Sequence, residues 1–111
     1  MEVFSSSNSS FSVVNHRLVG GGVIHLECPK NRQGLGVPDM IILHYTAGTS
    51  AESSAKFLAR PDVKASAHMV IGRDGQVIQL VPFNIEAWHA GKSSYRGRNE
   101  LNHYSIGIEL D

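Results

Sequence analysis

The chain has 111 residues, 41% hydrophobic and 18% charged, the composition of one ordinary globular domain with a modest core. Ten Lys and Arg balance ten Asp and Glu, which gives no support to a nucleic-acid partner, for which a clustered basic face is needed, or to a charge-driven membrane partner. No stretch is long and apolar enough to span a bilayer.

In chain order, residues 1–12 read as a flexible lead-in, because Ser and Asn dominate their start. That start has neither the basic nor the apolar region of a signal peptide. Residues 11–18 form a candidate edge strand, broken by Gly20-Gly21-Gly22, and 23–26 form another short strand. The triple glycine is not a phosphate loop, since no Gly-Lys-Ser/Thr follows. The single cysteine, Cys28, excludes an internal disulfide. Followed by Pro29 and lacking an activating neighbour, it reads as a partly buried structural thiol.

After a loop over 29–38 comes the apolar run Met40-Ile41-Ile42-Leu43-His44-Tyr45, which predicts a strand buried on both faces. It ends in polar residues, at the strand end where open α/β sheets place their sites. Thr49 and Glu52 have capping-box spacing, Ala51, Ala55 and Leu58 share one helical face, and Pro61 closes the helix. Residues 65–71 and 76–81 flank Gly72-Arg73-Asp74-Gly75 as a hairpin. Residues 82–98 are mostly loop, with Trp88 packed. Ser105-Ile106-Gly107-Ile108-Glu109-Leu110 alternates strictly, with the aliphatic residues on one face and Ser105, Gly107 and Glu109 on the other. The fold class is therefore α/β, a mixed central β-sheet with packed helical structure. With a single substantial helix, one sheet face should stay uncovered, and the chain reads as truncated at its C-terminus.

Three of the six histidines stand out: His44 at the end of the apolar strand, His68 at the start of another, and His89 in Trp88-His89-Ala90-Gly91. Zinc takes neutral imidazoles, thiolates and carboxylates. No close His-Glu-x-x-His spacing occurs, so any site has to be assembled from distant segments. Spacing alone leaves His44 open between a hydrogen-bonded structural histidine and a zinc ligand, and leaves a site improvised from His44, His68 and His89 as an alternative. Glu109 is the best lone carboxylate, because Ser105 and Gly107 beside it leave room for a ligand. It reads either as a general base toward water or as a solvated residue on an exposed face. Ser-His-Asp catalysis has no Gly-x-Ser-x-Gly elbow to support it.

Four segments in order resemble a known family. Ile42-Leu43-His44-Tyr45-Thr46-Ala47-Gly48, Ser66-Ala67-His68 with Ile71-Gly72-Arg73-Asp74-Gly75, Ala87-Trp88-His89-Ala90-Gly91-Lys92-Ser93 and Ser105-Ile106-Gly107-Ile108-Glu109 are similar to the motifs of the type-2 N-acetylmuramoyl-L-alanine amidases, the AmpD and AmiD type. The resemblance covers residues 38–111, about two-thirds of the chain. It implies the α/β fold shared with peptidoglycan recognition proteins. It also implies zinc-dependent hydrolysis of the amide between N-acetylmuramic acid and L-alanine in peptidoglycan or muropeptides. His44 matches the first zinc ligand and Glu109 the catalytic glutamate. His89 matches a position lining the substrate groove, and Trp88 and His68 are assigned to substrate binding beside it.

The family takes its second zinc histidine, an aspartate ligand and an oxyanion-stabilising lysine from a segment after the glutamate strand. The resemblance therefore makes residues 13–111 an incomplete catalytic domain, with the remaining Zn2+ ligands expected beyond residue 111. The alternative is a peptidoglycan-binding module without chemistry. The compartment stays open between cytoplasm and cell envelope, and nothing in the sequence bears on oligomeric state.

Overall fold

The computed structural model describes residues 10–31, 33–46, 48–91 and 93–111. The expected lead-in lies outside the described residues as far as residue 9, and its last two residues, Phe11 and Ser12, already belong to a strand.

That strand, β1 (Phe11–Val14), pairs antiparallel with β2 (Arg17–Gly20). The sequence reads one strand over 11–18. The structure instead folds it into a hairpin, because Asn15 and His16 take positive φ values of 55° and 66°, the two-residue turn that matches the twist of paired strands.

The main sheet has five strands: β3 (Ile24–His25), β4 (Met40–Tyr45), β5 (Met69–Ile71), β6 (Val77–Gln79) and β9 (Ser105–Leu110). Their order is β3-β6-β5-β9-β4. Strands β4, β9 and β5 run parallel, β6 is antiparallel to β5, and β3 is parallel to β6. Helix α1 (Ala51–Leu58) connects β4 to β5. These two strands are not neighbours, and β9, from the end of the chain, fills the slot between them. A small hairpin, β7 (Ser94–Tyr95) and β8 (Arg98–Asn99), interrupts the expected loop, and a 3-10 turn at Leu101–His103 leads into β9.

Helix α1 begins one residue later than the Thr49-Glu52 spacing predicts. Ser50 is the N-cap: its hydroxyl accepts from the Ser53 backbone N–H, and the Ser53 side chain reaches back to the Ser50 N–H. Glu52 instead pairs with Lys56 one turn on, at 2.8 Å on the exposed side. Ala51 and Ala55 are buried and pack with Val70, Ile78, Leu80, Val81, Ala87 and Cys28 to form the core. Small alanines let the helix lie close to the sheet, as the 3.1 Å between the Ala51 Cβ and a Cβ built on Gly72 shows. Cys28 is the buried thiol expected of it; its Sγ donates to Asn31 Oδ1 at 3.2 Å, and burial pushes its pKa up.

The apolar β4 run corrects the expectation of burial on both faces. Strand β4 ends the sheet order, and Ile41, Leu43 and Tyr45 are 68%, 54% and 84% exposed, while Met40, Ile42 and His44 are partly buried. Helix α1 covers only the face that carries Val70, whose register partner is Glu109. The other face is lined near its lower end by Leu35, Val37 and Phe83, close to Met69 and Ile108; the aliphatic row of β4 stays open. The uncovered face expected from a one-helix count is present among the described residues.

Candidate active site

Parallel pairing brings the site together. In the β4–β9 register Met40, Ile42 and His44 lie opposite Ser105, Gly107 and Glu109. Side chains of paired residues project to the same face, and adjacent strands lie about 4.8 Å apart. His44 and Glu109 therefore stand side by side at the C-terminal ends of two parallel strands, on the face that α1 covers. Between the strand end and the helix opens a groove of about 530 Å³ lined by Thr46, Gly48, Ser53, Ser54, Phe57 and Glu109 among others. Its lining combines one carboxylate with hydroxyls and aromatic rings.

His89 reaches the same face from the loop before β7. Its ring lies flat over Gly107, where a Cβ would come 2.2 Å from the ring Cγ; glycine alone leaves this space. His89 Nε2 lies 3.0 Å from the Ser105 hydroxyl, and His89 Nδ1 lies 3.1 Å from His44 Nε2. The two imidazoles meet edge-on, at an interplanar angle of 70°. The Asn102 carboxamide oxygen accepts from the backbone N–H groups of His89 and Ala90, at 3.1 and 2.8 Å. Burial first, and then the neighbouring rings of His44 and His68, lower the His89 pKa from 6.5 to about 4. The ring is neutral at neutral pH.

His68 is fully buried. Its Nδ1 accepts from the Gly107 backbone N–H at 3.0 Å, so its proton sits on Nε2, which donates to the Ile85 carbonyl at 2.7 Å. Burial lowers its pKa. Both ring nitrogens are spent on β9 and on the loop that follows β6. His68 thus has no polar atom left for a ligand and no exposed surface, in place of the substrate contact expected of it. Trp88 is 37% exposed, more open than the packed residue expected. Its backbone is clamped to Ser66 by two bonds of 2.9 Å, one from the Trp88 N–H to the Ser66 hydroxyl and one from the Ser66 N–H to the Trp88 carbonyl.

The structure therefore gathers His44, Glu109 and His89 on one face, with Trp88 beside them and His68 beneath. Among the described residues no group of three His, Cys, Asp or Glu side chains converges to hold a metal ion, and the improvised set His44, His68 and His89 offers no third free nitrogen. Two participants escape the sequence reading. Ser105 stands out in the sequence only for its size, although a hydroxyl on a strand face that closes around a histidine has to be bonded. Asn102 carries no sequence signal at all.

Residues 34–111 match the family described as N-acetylmuramoyl-L-alanine amidase. The chain is 45% identical over 67 residues to the 1,6-anhydro-N-acetylmuramyl-L-alanine amidase AmpD of Citrobacter freundii, covering 60% of this chain and 36% of that protein. It is 37% identical over 79 residues to the N-acetylmuramoyl-L-alanine amidase AmiD of Escherichia coli K12, covering 65% and 28%. Among solved structures, a selenomethionine AmpD derivative superimposes with a TM-score of 0.75 at 30% identity, over 89% of this chain and 65% of that one. AmiD from E. coli, in complex with the substrate anhydro-N-acetylmuramic acid-L-Ala-D-gamma-Glu-L-Lys, gives 0.58 at 37% identity, over 69% and 32%. The chain spans about a third of the length of the curated AmpD relatives it matches. The mixed sheet, the helix packed on it and the match over residues 34–111 make the chain a member of the N-acetylmuramoyl-L-alanine amidase family.

Proposed function

We propose that the chain carries part of the active centre of an amidase that hydrolyses the bond between N-acetylmuramic acid and L-alanine in peptidoglycan or muropeptides. The observation that carries this reading is the register pairing of His44 with Glu109 at the ends of adjacent parallel strands, where Glu109 lines the groove beside α1. Glu109 takes a proton from the attacking water as its oxygen adds to the lactyl carbonyl, and returns a proton to the L-alanine nitrogen as the C–N bond breaks. Trp88, next to His89 in the chain, offers a half-open aromatic ring, and His89 and His68 pack against Gly107 of β9.

Zinc dependence belongs to this reading, with His44 as the first ligand. A half-buried imidazole at a strand end is a fitting donor. One imidazole is not a zinc centre, however, and the described residues do not fit a complete one, so no step is assigned to the metal. That same observation favours a second reading, a module that binds peptidoglycan without cleaving it.

The test is incubation of the chain with a soluble muropeptide and zinc, followed by mass spectrometry for the released L-alanine peptide. Release that is lost in Glu109→Gln supports hydrolysis and the base role. Release that is unchanged in Glu109→Gln removes Glu109 from the chemistry. Saturable muropeptide binding without release establishes the second reading.

A further inference from the structure

The hydrogen bonds around His89 determine where the protons of the site's histidines sit. Ser105 has a single hydroxyl proton, and the Leu101 carbonyl, 2.6 Å from its Oγ, can only accept. That proton therefore points at Leu101. The Ser105 oxygen is left as an acceptor, and His89 Nε2, 3.0 Å away, has to be the donor. A neutral imidazole carries one N–H, so His89 Nδ1 is a lone pair. His44 Nε2, 3.1 Å from that lone pair, must then carry its own proton, which leaves Nδ1 as the acceptor atom of His44.

We infer that Ser105 and His89 form a positioning relay that sets His44 as the Nε2–H tautomer and leaves its Nδ1 lone pair as the only one available to an electrophile. The chain of donation runs from His44 Nε2–H to His89 Nδ1, from His89 Nε2–H to Ser105 Oγ, and from Ser105 Oγ–H to the Leu101 carbonyl. It starts on β4, crosses to the loop before β7, and ends at the 3-10 turn. Two further features hold the relay in register. Gly107 leaves the space the His89 ring fills, and Asn102 fixes the backbone of His89 and Ala90. His89 is thus a positioning residue for His44. The partner of a ligating imidazole's other nitrogen commonly fixes its tautomer and orientation; here that partner is a second imidazole whose own tautomer a serine dictates.

The use made of the His44 lone pair rests on the amidase reading, but the tautomer does not. The tautomer is read by nitrogen NMR of the 15N-labelled chain in chelator, at a pH where the His89 ring is neutral. The relay predicts that His44 and His89 each show a single Nε2–H tautomer and that a scalar coupling across the hydrogen bond links His44 Nε2 to His89 Nδ1. In Ser105→Ala the ring of His89 loses its acceptor, the coupling disappears, and the His44 nitrogen shifts converge toward the averaged values of a free imidazole. Ser105→Thr, which keeps the hydroxyl, restores the single-tautomer pattern. An Nδ1–H proton on His44 in the parent chain overturns the inference, as does a Ser105→Ala spectrum in which both rings keep their tautomers. If Ser105→Ala does not fold, the parent spectrum still decides, and the near-isosteric Ser105→Cys, a weaker acceptor, replaces the variant. A wrong amidase reading leaves these spectra unchanged, and a wrong tautomer leaves hydrolysis measurable.

Discussion

Gly107→Ala perturbs the site at the point where strand and ring are closest. The new Cβ would lie 2.2 Å, 2.5 Å and 2.6 Å from three atoms of the His89 ring, well inside contact distance, and the ring cannot yield without breaking its contacts to Ser105 and His44. Overpacking of this kind costs about 1–3 kcal/mol, and two lost hydrogen bonds add about 1 kcal/mol each. Replacing glycine in a strand returns roughly 0.5–1 kcal/mol. The net expectation is a loss of about 2–4 kcal/mol, a large share of the stability of a small domain. Urea titration followed by the fluorescence of Trp88, the chain's one tryptophan and the neighbour of His89, measures it. The decisive control is the double-mutant cycle with His89→Ala. Once the ring is gone the methyl has space, so Gly107→Ala in that background should be neutral or slightly stabilising, and nearly all of the cost should appear as coupling. Equal cost in both backgrounds would show that the strand, not the ring, requires glycine, and the described packing of His89 would be refuted.

Three further outcomes follow from titration and exposure. His103 bonds Glu86 through Nδ1 at 2.7 Å, and that bond, then the Glu86 charge, raises its pKa above 6.5. Its contribution is complete below about pH 6.5 and is lost as pH rises through the raised value, so the difference in thermal midpoint between the parent and His103→Gln should shrink from pH 6 to pH 9; a difference that grows with pH contradicts the ion pair. His89 has the opposite sign: with its pKa lowered to about 4, chiefly by burial, its contribution is complete above 6.5 and falls away toward pH 4, and proton NMR should find the ring neutral until close to that pH, a midpoint near 6.5 being the contrary result. On the open face, Leu43→Lys changes a side chain that is already mostly in solvent, so stability in a urea titration should move by no more than about 0.5 kcal/mol; a loss above about 2 kcal/mol would mean that this face is covered.

The parts of the fold that were legible in the sequence are those whose signal is local. Strict alternation fixed both the extent of β9 and the face shared by Ser105, Gly107 and Glu109. Helix α1 was legible from its alanine face, but its start moved by one residue because Thr49 and Ser50 are equally good caps, and only the Ser53 bonds choose between them. The strand over Met40–Tyr45 is legible in its apolar run, but its half-open environment is not. An apolar run states what a strand could bury, whereas whether both faces are covered depends on layers supplied by other segments. The site has the same division. His44 and Glu109 were each visible at a strand end, but their pairing arises from β9 entering the slot that the β4–α1–β5 connection leaves open, and no spacing rule encodes that. The bond from His89 to Ser105 depends on the same insertion.

His68 separates a structural from a binding role most sharply. Its five polar connections tie three segments together: the ring joins Gly107 to Ile85, its backbone N–H donates to the Gly107 carbonyl at 2.9 Å, and its carbonyl accepts from the Leu80 and Val81 N–H groups at 2.9 and 3.4 Å. In His68→Ala the backbone bonds can persist, but the Gly107 N–H and the Ile85 carbonyl lose their partners inside the protein and the ring leaves a cavity. Orphaned buried groups cost about 1–3 kcal/mol each and the cavity adds to this, so a loss of roughly 3–5 kcal/mol is expected, much of the total available. Gly107 lies between Ser105 and Glu109 on β9, so the damage should spread to the His89 ring that rests on it, visible as loss of the His44–His89 contact before global unfolding. A substrate-binding role makes the reverse prediction, namely little change in the urea midpoint and weaker muropeptide binding. The two measurements on one variant divide the roles cleanly, because a residue with no exposed surface can affect binding only by moving what lies above it.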